Sequence, residues 1–250
     1  KEKLNKFCLD SLSNDRTFCV TNDNQIVLYK TNGDEDIIEK VSSTPVVQGY
    51  TDNNICFNKG LLYKSESNML LLDENNPYVL YQYDLAKEKI VNKWKTRNIE
   101  ISDICPMKKD GQKTNEPSIY GVNSKSNFIL DERISNNNNV VNIKTYSRKI
   151  DANIIKSNYD GQFVTGSTRG ELRFYDKFGA KAKNTFSFYG DPIRFIDISP
   201  DDQYILLTCD KYILLLEEEK IPFLKMLKAH ERKTPIRLRI KMTDVNQYKL

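Results

Sequence analysis

A single histidine limits the chemistry available to this chain. A serine or cysteine nucleophile paired with imidazole would have to use His230, which sits among Lys228, Glu231, Arg232 and Lys233. That setting reads as a solvated loop rather than a packed catalytic group. One histidine also excludes multi-histidine metal centres, and no Cys-x-x-Cys pair replaces them. The acidic run Glu217-Glu218-Glu219 follows an apolar strand and has no second acidic cluster at ligand spacing, so it reads as a polar turn. Residues Gly161 to Thr168 carry the glycine spacing of a phosphate-binding loop. Ser167 stands where the lysine after Gly166 should be, so nothing would reach the β- and γ-phosphates. No catalytic residue, cofactor or metal is expected.

The remaining candidate is electrostatic. Lys225, Lys228, Arg232, Lys233, Arg237, Arg239 and Lys241 gather near the end of the chain. Between Pro235 and Met242 cationic and apolar residues alternate, which would place Arg237, Arg239 and Lys241 on one strand face. Two readings stay open. The strand is an edge whose exposed charges guard against aggregation, or it is a patch for an acidic or phosphorylated peptide, a lipid headgroup or RNA. No aromatic-interleaved RNA platform accompanies it, so nucleic acid is not expected. The net charge of +4 over 250 residues exerts little general pull on polyanions.

The elements that would carry these residues repeat. An apolar or aromatic run ending on an acid recurs as Val79 to Asp84, Asn127 to Asp131, Glu171 to Asp176 and Tyr212 to Glu217. The acidic ends fall 47, 45 and 41 residues apart. A period in the forties with short strands and turn signals between the marks is that of a four-stranded propeller blade. One unit reads as strands at Ala152 to Ser157, Gln162 to Ser167 and Glu171 to Asp176, with turns at Asp160-Gly161 and Arg169-Gly170. The next repeats the plan at Ile193 to Ile198, Gln203 to Thr208 and Tyr212 to Leu216. An earlier, less regular unit has Thr17 to Thr21, Gln25 to Tyr29 and Asp36 to Val41, followed by a long loop between Ser42 and Asn68.

The expected fold is therefore all-β: a divergent WD40-like propeller of four-stranded antiparallel blades, about six to seven of them. Residues 1–250 read as one such domain, a piece of a longer protein whose N-terminal region is absent, with ring closure needing residues outside it. Lys1 to Lys6 has no apolar signal region, and Asp210-Lys211 interrupts the most apolar stretch, so no membrane span is expected. Five cysteines (Cys8, Cys19, Cys56, Cys105 and Cys209) without close pairs read as reduced core thiols, and no glycosylation sequon occurs. These features point to the cytosol or the nucleus. The run Asn136 to Asn139 reads as a tolerated loop-tip insertion.

Gly166-Ser167, Gly170 and Phe174-Tyr175-Asp176 resemble a WD repeat with Tyr175 in place of the usual tryptophan. The buried His–Ser–Asp–Trp set of regular repeats cannot recur, since Trp94 and His230 are single. Longer strings resemble the C-terminal propeller domain of the vacuolar import and degradation protein 27 family. They include Asn76-Pro77 through Trp94, Ile101 to Pro106, Ile129 to Arg133, Gly170 to Gly179, Gly190 to Ile193 and Thr208 to Leu216. The resemblance implies a non-enzymatic cytoplasmic protein linked to vacuolar delivery and degradation. A monomeric scaffold for protein partners follows from it as the expectation. The candidate contact surface comprises Asp131, Arg133, Asp176 and Asp191 at strand and loop ends, together with Arg237, Arg239 and Lys241.

Overall fold

A computed structural model describes residues 5–11, 15–32, 37–46, 55–134, 137–217, 223 and 225–238. Strand-forming runs of β-branched and aromatic residues are cut by polar turns, and each group of four strands pairs in chain order. The first blade is Asn5–Asp10 (β1), Arg16–Thr21 (β2), Gln25–Asn32 (β3) and Ile37–Pro45 (β4). The second is Phe57–Tyr63 (β5), Asn68–Asp73 (β6), Val79–Asp84 (β7) and Lys89–Lys95 (β8). The third is Asp103–Pro106 (β9), Ser118–Val122 (β10), Ser126–Asp131 (β11) and Val140–Thr145 (β12). The fourth is Ala152–Ser157 (β13), Phe163–Ser167 (β14), Glu171–Tyr175 (β15) and Asn184–Ser187 (β16). The fifth is Ile193–Ile198 (β17), Tyr204–Cys209 (β18), Ile213–Glu217 (β19) and Ile236–Leu238 (β20).

The architecture is the expected all-β propeller of four-stranded antiparallel blades, but the described residues build five blades, not six to seven. Successive blades start 52, 46, 49 and 41 residues apart. Connections such as 107–117, which holds a 3-10 turn at Gly111–Lys113, lengthen the repeat beyond the ~40–45 residues that a count from length assumes. Strand β5 lies inside the stretch read as a long loop, and β1 precedes the first strand foreseen. Asp36 lies outside the described residues.

By compactness the chain divides into Lys1–Gly121 with Phe128–Asn142 (unit 1) and Val122–Asn127 with Ile143–Leu250 (unit 2). In unit 1, Phe18, Val20, Phe57, Met69, Leu71 and Tyr81 form one buried cluster, and Leu70, Leu80, Trp94, Ile104, Phe128 and Leu130 another. The Trp94 indole donates to Gln82 Oε1 at 3.2 Å, and Gln82 Nε2 donates to Asn68 Oδ1 at 2.9 Å. Two amides thus tie β8, β7 and β6 together through buried side chains. Asn139, read as part of a tolerated insertion, is a buried anchor instead: its Oδ1 accepts from Lys95 N at 2.8 Å and its Nδ2 donates to Asp131 O at 3.1 Å.

Cys8 and Cys19 face each other across the β1–β2 pair and form a disulfide, so the expectation of five reduced thiols is corrected. Antiparallel register brings residues opposite one another whatever their separation in sequence, which spacing alone does not reveal. Cys56, Cys105 and Cys209 remain thiols.

In unit 2, Ile154, Val164, Phe174, Ile193, Ile196, Leu207, Leu214 and Phe223 belong to one core between the fourth and fifth blades. Gly166 is a contact point in it. A Cβ there would meet Ile154 Cγ2 at 2.7 Å, Ile193 Cγ2 at 2.9 Å and Ile196 Cδ1 at 3.0 Å. Antiparallel order places the β14–β15 and β18–β19 turns and the β16–β17 connection at one end of these two blades.

Candidate binding site

At that end of unit 2, three backbone features hold a cation between two aromatic rings. The Arg169-Gly170 turn is the support. Gly170 has φ +74°, and a Cβ at this position would lie 3.0 Å from Asp191 O and 3.1 Å from Gly190 N. Phe188 N also donates to Gly170 O at 3.0 Å. The β16–β17 connection is thereby seated on the turn, and it presents Tyr189 with 57% of its surface exposed. The Asp210-Lys211 turn delivers Tyr212, which is buried and meets Tyr189 edge-to-face at 5.6 Å. From β20, opposite Leu214, the Arg237 guanidinium stands 4.1 Å from the Tyr212 centroid and 5.0 Å from that of Tyr189. Both distances suit cation–π attraction.

Alternation along β20 is opposite to the sequence expectation. Arg237 is half-buried, while Ile236 and Leu238 are each 47% exposed. Aromatic rings on the inward side supply a better surface for a planar cation than for the aliphatic neighbours, and the charge follows them. Arg239 and Lys241 lie outside the described residues.

Electrostatics distinguish Arg237 from the other cations here. Arg169 pairs with Asp151 at 2.8 Å, Arg194 with Asp210 at 2.6 Å, and Lys211 with Asp191 at 3.8 Å. Arg237 has no carboxylate or hydrogen-bond acceptor among the described residues, and its Nε is buried without a partner. A buried donor left unsatisfied typically costs on the order of 1–3 kcal/mol. Burial pushes the Cys209 thiol up to about 11 and also raises the Tyr212 phenol. Neither is a nucleophile or base near neutral pH.

The other candidates have surroundings of their own. Asp131 is a structural turn residue of unit 1: Arg133 Nε and Nη2 donate to it at 3.0 and 2.7 Å, Ser118 Oγ at 2.7 Å and Arg133 N at 2.9 Å. The Arg133 bonds, the largest influence, and that of Ser118 hold its carboxyl well below the usual carboxylate range. Asp176 follows β15, at the opposite end of its blade from Asp191, and pairs with Lys183 at 3.2 Å. Asp191 alone of the acidic candidates borders Arg237, its charge acting on the same Tyr212 phenol. Sequence reasoning passed over Tyr189 and Tyr212. The available signal was an aromatic beside each turn, Tyr189-Gly190 and Lys211-Tyr212.

Among the described residues no three His, Cys, Asp or Glu side chains gather as a metal site, and no helix is long and apolar enough to cross a membrane. The family model described as the VID27 C-terminal WD40-like domain matches residues 4–249. The chain is 31% identical over 228 residues to Vacuolar import and degradation protein 27 of Saccharomyces cerevisiae, covering 87% of this chain and 29% of that protein. It is 29% identical over 206 residues to the protein of that name from Schizosaccharomyces pombe, covering 82% of this chain and 26% of the relative.

Proposed function

Because this chain belongs to the VID27 family, as its C-terminal WD40-like domain, we propose that it is a scaffold for protein–protein contacts and catalyses no reaction of its own. In this reading residues 1–250 act as one WD-like domain of a longer, monomeric, cytoplasmic protein. The relatives are named for vacuolar import and degradation, and a domain that holds protein partners fits a part in that process. The observation that carries the proposal is the half-buried Arg237, unpartnered among the described residues, beside the exposed Tyr189. An aromatic and an arginine at the end of a blade are the residue types that anchor protein interfaces. Asp191 borders this surface, and Arg239 and Lys241 are assigned to it from their place in the sequence. Asp131, Arg133 and Asp176 are left to the framework.

Affinity capture from a cell lysate tests the proposal, with mass spectrometry comparing the chain, its Tyr189→Ser variant and an unrelated propeller. The expected result is a set of proteins enriched by the parent chain and lost with Tyr189→Ser. Enrichment of RNA or lipid without protein, or no enrichment over the unrelated propeller, overturns it.

A further inference from the structure

We propose that Arg237, clamped by Tyr212 and Tyr189, is a receptor for a side-chain carboxylate of an acidic peptide segment. The proposal rests on the scaffold reading and specifies the partner's chemistry. Around this end of unit 2, three of the described cations are already matched to carboxylates: Arg169 to Asp151, Arg194 to Asp210 and Lys211 to Asp191. Among the described residues, Arg237 is held by rings alone. Ring faces fix the plane of a guanidinium but leave its donors unspent, because they offer no lone pair in that plane. With Nε buried and Tyr212 covering one face, the two terminal nitrogens remain to meet a planar acceptor. A carboxylate fits that fork in bidentate geometry.

Charge selects a carboxylate over a phosphate. Asp191 and Asp210 flank the turn that carries Tyr212, each already engaged with a cation. A phosphate dianion would sit beside two carboxylates with one uncommitted cation to offset it, whereas a carboxylate matches Arg237 charge for charge. Tyr189, 57% exposed, gives the methylene stem of a glutamate an apolar surface.

The probe is an N-acetylated, C-amidated hexaglutamate labelled for fluorescence anisotropy. A parallel titration follows the Arg237 Nε–Hε resonance by NMR. Binding should shift that resonance, weaken with added salt and fall about tenfold or more in Arg237→Gln. Hexaglutamine should not bind. An equally long phosphoserine peptide should bind no more tightly than hexaglutamate, and a glycine–serine peptide with a free C-terminus should bind more weakly. Arg237→Lys keeps the charge without the fork and should lose most of the affinity. If Arg237→Gln fails to fold, the NMR shift of the parent chain and the Tyr189→Ser variant, expected to bind several-fold more weakly, decide the matter. An unmoved Arg237 resonance, equal binding of hexaglutamine, or tighter binding of the phosphopeptide overturns the assignment. Protein capture that survives Arg237→Gln also overturns it while leaving the scaffold reading intact; absence of any capture by the parent chain removes the scaffold reading itself.

Discussion

Asp131 in unit 1 is a buried charged group and Arg237 in unit 2 a half-buried one, and they are completed in opposite ways. Asp131 is 4% exposed and accepts from a serine hydroxyl, a backbone amide and an arginine fork, all within its own blade. Arg237 lies against two rings, has a buried Nε and finds no acceptor among the described residues. A charge whose hydrogen bonds are spent internally holds a turn together. One whose donors remain unspent is a place where a ligand can supply what the fold does not.

The contrast presumes that the open site stands on a rigid base, and Gly166 tests that base with the largest expected effect. Gly166→Val would drive a side chain into Ile154, Ile193 and Ile196, all within 3.0 Å of a Cβ. Overpacking of this kind costs about 3 kcal/mol, the upper end of the usual range. Urea midpoints should show the loss. A variant as stable as the parent would mean that the fourth and fifth blades can part, and that the Arg237 geometry is loosely held.

Asp131→Ala comes next, at about 2 kcal/mol, because the half-buried Ser118 hydroxyl and a backbone amide lose their acceptor while the exposed Arg133 is rehydrated. The same residue has a signature in acid. Its folded pKa lies below the unfolded value of about 3.9. Its contribution is therefore full above that value and is lost as pH falls through the folded pKa. The parent chain should lose stability more steeply than Asp131→Asn between about pH 5 and pH 2. Parallel curves would show that the Asp131 network is not worth what its geometry implies.

A smaller effect is expected at the seat of the open site. Gly170→Ala places a Cβ at φ +74°, 3.0 Å from Asp191 O, and should cost about 1–2 kcal/mol. Because that contact seats the connection bearing Tyr189, the variant should also weaken hexaglutamate binding. Unchanged binding would show that Tyr189 is positioned by Tyr212 alone.

How much of this was legible in the sequence follows from which forces are local. The fourth and fifth blades were readable nearly strand by strand, since Gly161, Gly170 and Asp210-Lys211 mark turns between short apolar runs. Strand β5 was not, because Asn58-Lys59-Gly60 interrupts its apolar residues and its pairing with β6 supplies what its own pattern lacks. Blade number depended on connection lengths that turn chemistry does not fix. The Cys8–Cys19 bridge needed a register. The basic strand was noticed for Arg237, but periodicity gives two faces without saying which is inward. That was decided by Tyr189 and Tyr212, rings that reach β20 only after the chain has folded.

The smallest expected effect is the most discriminating. Arg237→Met keeps an unbranched apolar stem near Tyr212 and removes a buried donor that has no acceptor among the described residues. Two terms oppose each other: lost cation–π attraction of about 0.5–2 kcal/mol, and relief of an unsatisfied polar group of similar size. Stability should therefore stay within about 1 kcal/mol of the parent, far from the loss expected for Asp131→Ala. Hexaglutamate affinity should nonetheless disappear. A charge that serves the fold must be missed when an apolar chain replaces it. If thermal melts show Arg237→Met destabilised as much as Asp131→Ala, then Arg237 is completed by contacts within the protein and the two regions are alike. If stability holds and binding is lost, the contrast between a closed charge and an open one is the division between framework and site.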